Sequence, residues 1–206
     1  MRIHARMAVS LDGYVAGPDA RPGNPLGDGG TRLHEWMYDL QLWHEMQGQP
    51  GGRADADNDL VVRGRDRTGA TILGRRMFDE GEEPWGPNPP FHMPVFVVTH
   101  DAREPLVREG GTTYTFVTDG LPRAVALAAE AAGGRDVEIG GGADVVQQCL
   151  IAGVLDELVL HVTPIFLGGG RRLFDRAELV DVGLTRTDVL VSPTGTTHLR
   201  FARRED

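Results

Sequence analysis

The sequence contains no lysine, so all 21 of its basic residues are arginine. Base composition of the gene alone produces such a bias, so the position of each arginine carries more information than their number. One cysteine, Cys149, excludes an intrachain disulfide. Its place on an apolar helical face reads as a buried thiol rather than a nucleophile. Ser10 and Ser192 are the only serines and no Gly-x-Ser-x-Gly occurs, which removes serine hydrolase chemistry. The seven histidines include no His-x-x-x-His or comparable ligand spacing, so no metal site is assigned.

Long apolar runs are also missing. None approaches the roughly 20 residues of a membrane span. The start, Met1-Arg2-Ile3-His4, has charge and strand alternation where a signal peptide has an apolar core, and the expectation is a cytoplasmic protein without a membrane partner. Positive charge is in deficit, with 21 basic against 30 acidic residues and a formal net charge of −9. That balance argues against a general nucleic-acid binder, whose phosphate contacts need a basic face, while leaving room for a local basic pocket.

What is present describes an ordinary globule: 206 residues, 40% hydrophobic and 25% charged. A single domain over residues 1–206 is the economical reading. The chain is organised around Asp136–Leu150, which reads as strand, glycine turn and helix. Val137 and Ile139 alternate with charge, and Gly140, Gly141 and Gly142 then bare the backbone where a helix begins. Val145, Val146, Cys149 and Leu150 face a core, with Gln147 and Gln148 toward water. The first amides of a helix lack internal acceptors and sit at the positive end of its dipole, so such a turn is an anion cradle. A triple glycine also serves a tight turn needing positive φ, and both readings stand at this stage.

Elsewhere strands and helices alternate. Met1–Leu11 is a strand with Ile3, Ala5, Met7 and Val9 on one side, ending at Ser10-Leu11-Asp12-Gly13. A Gly/Pro-rich loop to Gly30 has the length of a mobile active-site loop. Thr31 caps a predicted helix through Leu33, Trp36, Met37, Leu40 and Trp43, with Glu35 near its start. Trp36 and Trp43, seven apart, would share a face, packed in the core or serving as a platform for a flat ring. A charged helix over Asp55–Arg67 precedes the strand Thr71–Leu73, which runs into Gly74-Arg75-Arg76, a second strand-glycine-helix junction carrying two guanidiniums. Strands follow at Pro94–His100 and Thr112–Thr118, then a helix over Leu121–Ala132. After the central glycine stretch come a strand over Asp156–Pro164, a loop Gly168-Gly169-Gly170-Arg171-Arg172, and a hairpin of Leu179–Val191 with Thr196–Ala202. Arg203-Arg204-Glu205-Asp206 reads as a solvated tail. His161 either looks into a cleft or is hydrogen-bonded within the sheet.

This order implies a three-layer α/β/α fold, its central sheet mostly parallel with an antiparallel C-terminal hairpin. Ligands in such sheets gather at the carboxyl ends of strands. Ser10–Gly13, Gly74–Arg76, Thr99–His100, Gly140–Asp144 and His161–Pro164 all fall there. Of the acids, Asp12 closes the first strand and is the first candidate for a catalytic role against a plain turn; Glu35 is the second, against a favourable charge on a helix dipole.

Ser10-Leu11-Asp12-Gly13, Leu73-Gly74-Arg75-Arg76, Val97-Val98-Thr99-His100, Ile139-Gly140-Gly141-Gly142 and Thr163-Pro164 with Gly168-Gly169-Gly170 occur in the order found in dihydrofolate reductase-like proteins. The chain most resembles the reductase domain of bacterial bifunctional riboflavin deaminase-reductases. The resemblance implies the dihydrofolate reductase-like fold, NADPH as cofactor and a homodimer, which would also protect the hairpin edge. It also implies that Gly140, Gly141, Gly142 and Ala143, with Asp144 beside them, hold a pyrophosphate. Gly74, Arg75 and Arg76 would then meet phosphate, including the adenosine 2′-phosphate, while Thr99 and His100 border the adenosine. The closest family activity is reduction of 5-amino-6-(5-phosphoribosylamino)uracil, with Arg171 and Arg172 available for the substrate phosphate. The zinc deaminase signature of the bifunctional enzymes is missing from this sequence. The Gly17–Gly30 loop lacks the Pro-Trp pair of dihydrofolate reductase, and Glu35 only approximates its helix acid. The expectation is therefore hydride transfer to a small polar heterocyclic or sugar-like acceptor; the rivals are a dihydrofolate reductase-type enzyme and a non-catalytic nucleotide sensor.

Overall fold

Strand alternation in β1, Ile3–Ser10, sets the layers of the computed structural model, which describes residues 1–204. Glu205 and Asp206, the end of the expected tail, lie outside the described residues. Ile3, Ala5, Met7 and Val9 enter the main core with Ala70 and Ile72 of β3 (Thr68–Gly74), Phe96 of β4 (Pro94–Val98), and Val137 and Ile139 of β7 (Asp136–Gly141). That face is covered by α5, Leu121–Ala131, and α6, Ala143–Ile151. On the opposite face, α4 (Arg75–Trp85) seats Phe78 against Leu73, Val95, Val97 and Tyr114, and α3 (Ala56–Arg67) runs over the polar half of the sheet.

Among the described residues nine strands form the sheet. In spatial order they are β10 (Leu184–Val191), β11 (Thr197–Arg203), β8 (Glu157–Thr163), β1, β7, β3, β4, β6 (Thr113–Val117) and β5 (Leu106–Val107). From β8 to β6 all pairings are parallel; β11 and β10 add an antiparallel edge, and β5 closes the other. A separate ribbon pairs β2, Tyr14–Ala16, with β9, Arg171–Arg172. The fold class matches the sequence-based expectation.

Three local readings need correction. The single helix expected from Thr31 through Trp43 is a 3₁₀ turn, Gly30–Leu33, followed by two short helices, α1 (Glu35–Tyr38) and α2 (Gln41–Met46). The chain returning through Arg53 supplies the cause. Its amide donates to the Asp39 carbonyl, its carbonyl accepts from the Gln41 amide, and its guanidinium reaches the Trp36 carbonyl, so backbone groups of a continuous helix are diverted. Trp36 and Trp43 therefore share no face: Trp36 packs on His161 and His198, and Trp43 on Tyr38. Gln147 does not face water but is buried, accepting from the amides of Asp175 and Arg176. That anchor belongs with the third change, since the segment Ala177–Asp181 is a 3₁₀ turn and the hairpin strand begins only at Leu184.

The polar face carries a buried network. His161 and His198, opposite each other on β8 and β11, meet Nδ1 to Nδ1 at 2.7 Å. His198 Nε2 donates to Asp57, whose other oxygen accepts from Ser192. With Nε2 as donor, His198 accepts through Nδ1, so both rings are neutral and His161 is the sheet-bonded histidine rather than a cleft residue. Burial, with His198 beside it, holds the His161 pKa well below the usual histidine range. Burial also brings His4, bonded to Thr68, to about 2.

A histidine whose folded pKa is depressed contributes stability that is intact above its unfolded value and lost as pH falls below it. Urea midpoints should therefore be level above neutrality and fall from pH 6.5 downward. His4 alone accounts for about 2 kcal/mol at about pH 5. A midpoint unchanged between pH 7.5 and pH 5 would contradict the neutral buried assignment.

Candidate functional site

β3 and β7 are neighbours, and both end in glycine where a helix starts. Gly74 precedes α4 and Gly142 precedes α6, and neither helix has a side-chain cap. A Cβ on Gly74 would lie 3.0 Å from Val145 Cγ2 and 3.5 Å from the Gly142 nitrogen, so the two junctions abut. At Gly142 the same atom would meet open space. The Gly141–Gly142 peptide is cis. Two uncapped helix starts thus converge on one rim, with unsatisfied amides and both dipoles favouring an anion there.

The arginines divide. Arg75 donates from Nε to Asp79 at 2.7 Å, and from Nη1 to Thr99 at 3.3 Å and Asp101 at 3.2 Å. That joins Thr99 to the junction and commits most of the guanidinium. Arg76 is exposed and has no ion-pair partner among the described residues. His100, one past the buried Thr99, is exposed. Asp144, in the first turn of α6, is paired with Arg176 and accepts from Gln148, so its charge is largely balanced beside the rim. Gly74, Arg75, Thr99, Gly140–Ala143 and Asp144 are accordingly gathered along the carboxyl ends of adjacent strands, with Arg76 and His100 at the edge.

Asp12 holds a loop. It accepts from the Ser10 hydroxyl at 2.5 Å, the Gly168 amide at 2.7 Å and the Leu167 amide at 3.2 Å. The Ser10 hydroxyl leads in lowering its pKa, with the two amides adding to it, so the carboxylate stays ionised. Glu35 is exposed at the start of α1, close enough to Tyr38 to raise the phenol pKa behind the larger effect of burial. The phosphate role expected for Arg171 and Arg172 meets competition. Arg171 forms a two-pronged pair with buried Glu80 at 2.8 and 2.9 Å, and Arg172 lies over the Tyr14 ring, 4.6 Å from its centre.

The sequence reading missed a cavity of about 250 Å³ on the polar face, between α2, α3 and the loop 86–93. Arg6, Thr71 and Glu138 form its floor; Trp43, Phe91 and Met93 stand in its walls. It opens into a longer surface groove that shares Trp43 and Phe91 and reaches Trp85 and Arg135. The strand alternation that put Arg6 opposite the core was visible in the sequence; its partner 132 residues away was not. Cys149 is buried, and its pKa is pushed up to about 12 by that burial, in keeping with a structural thiol.

Comparison with known proteins gives a family match and a set of folds. Residues 2–198 match the RibD C-terminal domain model. No curated protein matches the chain significantly. Among solved structures, a protein assigned to riboflavin biosynthesis from Shewanella sp. PV-4 superposes with a TM-score of 0.69 at 22% identity, covering 100% of both chains. Dihydrofolate reductase from Enterococcus faecalis, complexed with NADP(H) and RAB-propyl, gives 0.58 at 15% identity over 99% of this chain and 97% of that one. A pyrimidine reductase-like protein from Corynebacterium diphtheriae gives 0.53 at 18% identity, over 100% and 92%. At these identities the structures report a shared fold.

Because Asp12 ties the ends of β1 and the Leu167–Gly168 turn, Asp12→Ala should release that turn. Amide exchange at Leu167 and Gly168 should speed by about tenfold or more, with strand amides of β3 unchanged. Asp12→Asn, which keeps one acceptor oxygen, should recover part of the protection. Exchange at wild-type rates in both variants would show that the loop does not depend on this carboxylate.

Proposed function

The chain belongs to the RibD C-terminal domain family, and from that premise we propose that it is an NADPH-dependent reductase of the riboflavin-biosynthesis reductase type. On this reading it transfers hydride to a small polar heterocyclic or sugar-like acceptor. The observation that carries the reading is the abutment of Gly74 and Gly142, which brings two uncapped helix starts to one rim. The NADP(H) complex of the fold-related dihydrofolate reductase supports the choice of nucleotide. A single domain acting as a homodimer in the cytoplasm completes the proposal; no helix of the described residues is long and apolar enough to cross a membrane.

The cofactor, when bound, supplies the hydride, and the chain supplies orientation. Gly140, Gly141, Gly142 and Ala143 would hold the pyrophosphate through backbone amides, with the charge of Asp144 balanced by Arg176. Arg76 meets the 2′-phosphate with uncommitted donors, while Arg75 stiffens the junction through Asp79, Thr99 and Asp101. Thr99 and His100 border the adenosine. Asp12, ionised, orients the Leu167–Gly168 turn at the mouth of the site, and Glu35 is the acid accessible from solvent.

Quenching of the three tryptophans, with energy transfer to the nicotinamide, measures binding directly. NADPH should bind more tightly than NADH. Arg76→Ala should cost NADPH about tenfold and leave NADH unchanged, since one charge-assisted contact to phosphate is removed. Arg75→Ala should weaken both cofactors together through loss of the junction. Absence of binding for either nucleotide would remove the cofactor from the reading.

A further inference from the structure

The segment 165–173 follows β8 at the mouth of the site and is fastened twice. One fastening is to the end of β1. Asp12 accepts from the amides of Leu167 and Gly168, the Leu173 amide donates to the Gly13 carbonyl, and Arg172 lies over Tyr14 where β9 pairs with β2. A Cβ on Gly170 would fall 2.2 Å from the Ala16 carbonyl oxygen, so the two chains close on each other with no side chain between them. Arg171 is thereby held at its stem.

The other fastening reaches α4, which follows β3. Arg171 donates from Nη1 and Nη2 to the two oxygens of Glu80, at 2.9 and 2.8 Å, and Glu80 is 5% exposed. In the sheet β8 and β3 are separated by β1 and β7, so their ends lie roughly 14 Å apart, three strand spacings. The pair therefore bridges the two strands that lead into Asp12 and the glycine turn. Among the described residues no other hydrogen bond or ion pair joins α4 to the segment 165–173. Replacing a buried ion pair by apolar side chains is often neutral for stability, whereas a two-pronged guanidinium contact fixes distance and angle. What this pair adds over an apolar contact is geometry.

The partner helix depends on its ends. Gly81 and Pro84 lie within α4, and its first turn has two arginines and neither an acid nor a side-chain cap. Cations at a helix start oppose the dipole, and the first amides lack acceptors. An anion at the rim where Gly74 meets Gly142 relieves both. Glu80 stands about 7.5 Å along the helix axis from Arg75, so a start made firm holds the carboxylate firm as well.

We propose that Glu80 and Arg171 are positioning residues that couple cofactor binding at the rim to the order of the Leu167–Gly168 turn. Phosphate at the start of α4 firms the helix, Glu80 holds Arg171, and the turn at the mouth is ordered with it. This deepens the reductase reading above and rests on it for the cofactor; the bridge itself stands on the geometry.

The test is amide exchange of the full chain with and without NADPH, in wild type, in Glu80→Gln and in the double variant Glu80→Met with Arg171→Met. The double variant replaces a buried charge pair by an apolar one at little cost to folding. In wild type, NADPH should slow exchange at Leu167 and Gly168 by about threefold or more. In both variants that slowing should vanish, while the amides at the starts of α4 and α6 remain protected by NADPH. Coupling is reciprocal, so tryptophan quenching should show each variant binding NADPH more weakly by that same factor. NADH should weaken equally, unlike the selective loss in Arg76→Ala. Slowing at Leu167 and Gly168 that survives in the folded double variant overturns the coupling, since the cofactor then reaches the turn by another route. Protection of the helix starts without protection of the turn in wild type overturns it as well. If NADPH protects neither helix start, the cofactor reading falls and the coupling with it; faster exchange at Leu167 and Gly168 in Glu80→Gln alone would still show the bridge.

Discussion

The close approach of Gly74 to Gly142 is the constraint on which the rest of the molecule turns. Parallel neighbours β3 and β7 deliver their carboxyl ends side by side, yet α4 leaves toward one face of the sheet and α6 toward the other. Two helix starts of opposite destination can meet only where side chains are missing, because a Cβ at Gly74 already presses on Val145. The same absence leaves both sets of first-turn amides open at one rim. The tight turn read from the triple glycine is present, and the steric need that requires it also leaves the helix-start amides open at the rim.

Several of the arginines are committed to ion pairs. Arg6 is tied to Glu138, Arg171 to Glu80, Arg67 to Glu157 and Arg53 to the acids at the start of α3. The first three of these pairs join elements far apart in the chain, and in the pairs of Arg6 and Arg171 the planar fork makes the double contact that an ammonium would not. Arg76 is one of several arginines with no ion-pair partner among the described residues, and what sets it apart is its place in the first turn of α4, beside the rim. Position, not abundance, selects it.

Strand alternation, glycine junctions and the order of elements were legible because each is written within a few consecutive residues. Asp57 was not. It lies in the first turn of the helix the sequence did predict, but its partners His198 and Ser192 come from the far hairpin. The split of the helix after Tyr38 was hidden for a related reason: Arg53 competes for the backbone of Asp39 and Gln41, and periodicity counts apolar side chains rather than backbone acceptors. Gln147 likewise reads as solvent-facing by type, and only the amides of Asp175 and Arg176 reveal why it is inside. Asp12 was legible as a strand-end acid, whereas its hold on Leu167 and Gly168 needed a loop more than 150 residues away.

These differences separate the molecule into two parts that can change independently. The rim is made by strand ends and helix starts that the sheet register fixes, and a shift there moves β3, β7 and both helices together. The walls of the polar-face cavity are made by α1, α2, α3 and the loop 86–93, which contribute no strand to the main sheet. A substitution at Trp43 or Phe91 alters a wall without touching the register of β3 and β7, whereas one at Gly140 would press on Thr71 and Leu73 and so reach cavity and rim alike. The cavity is thus carried by helices and loop walls, and the rim by the sheet. The Arg6–Glu138 pair is where the two meet, since its residues belong to the strands and its surface belongs to the cavity.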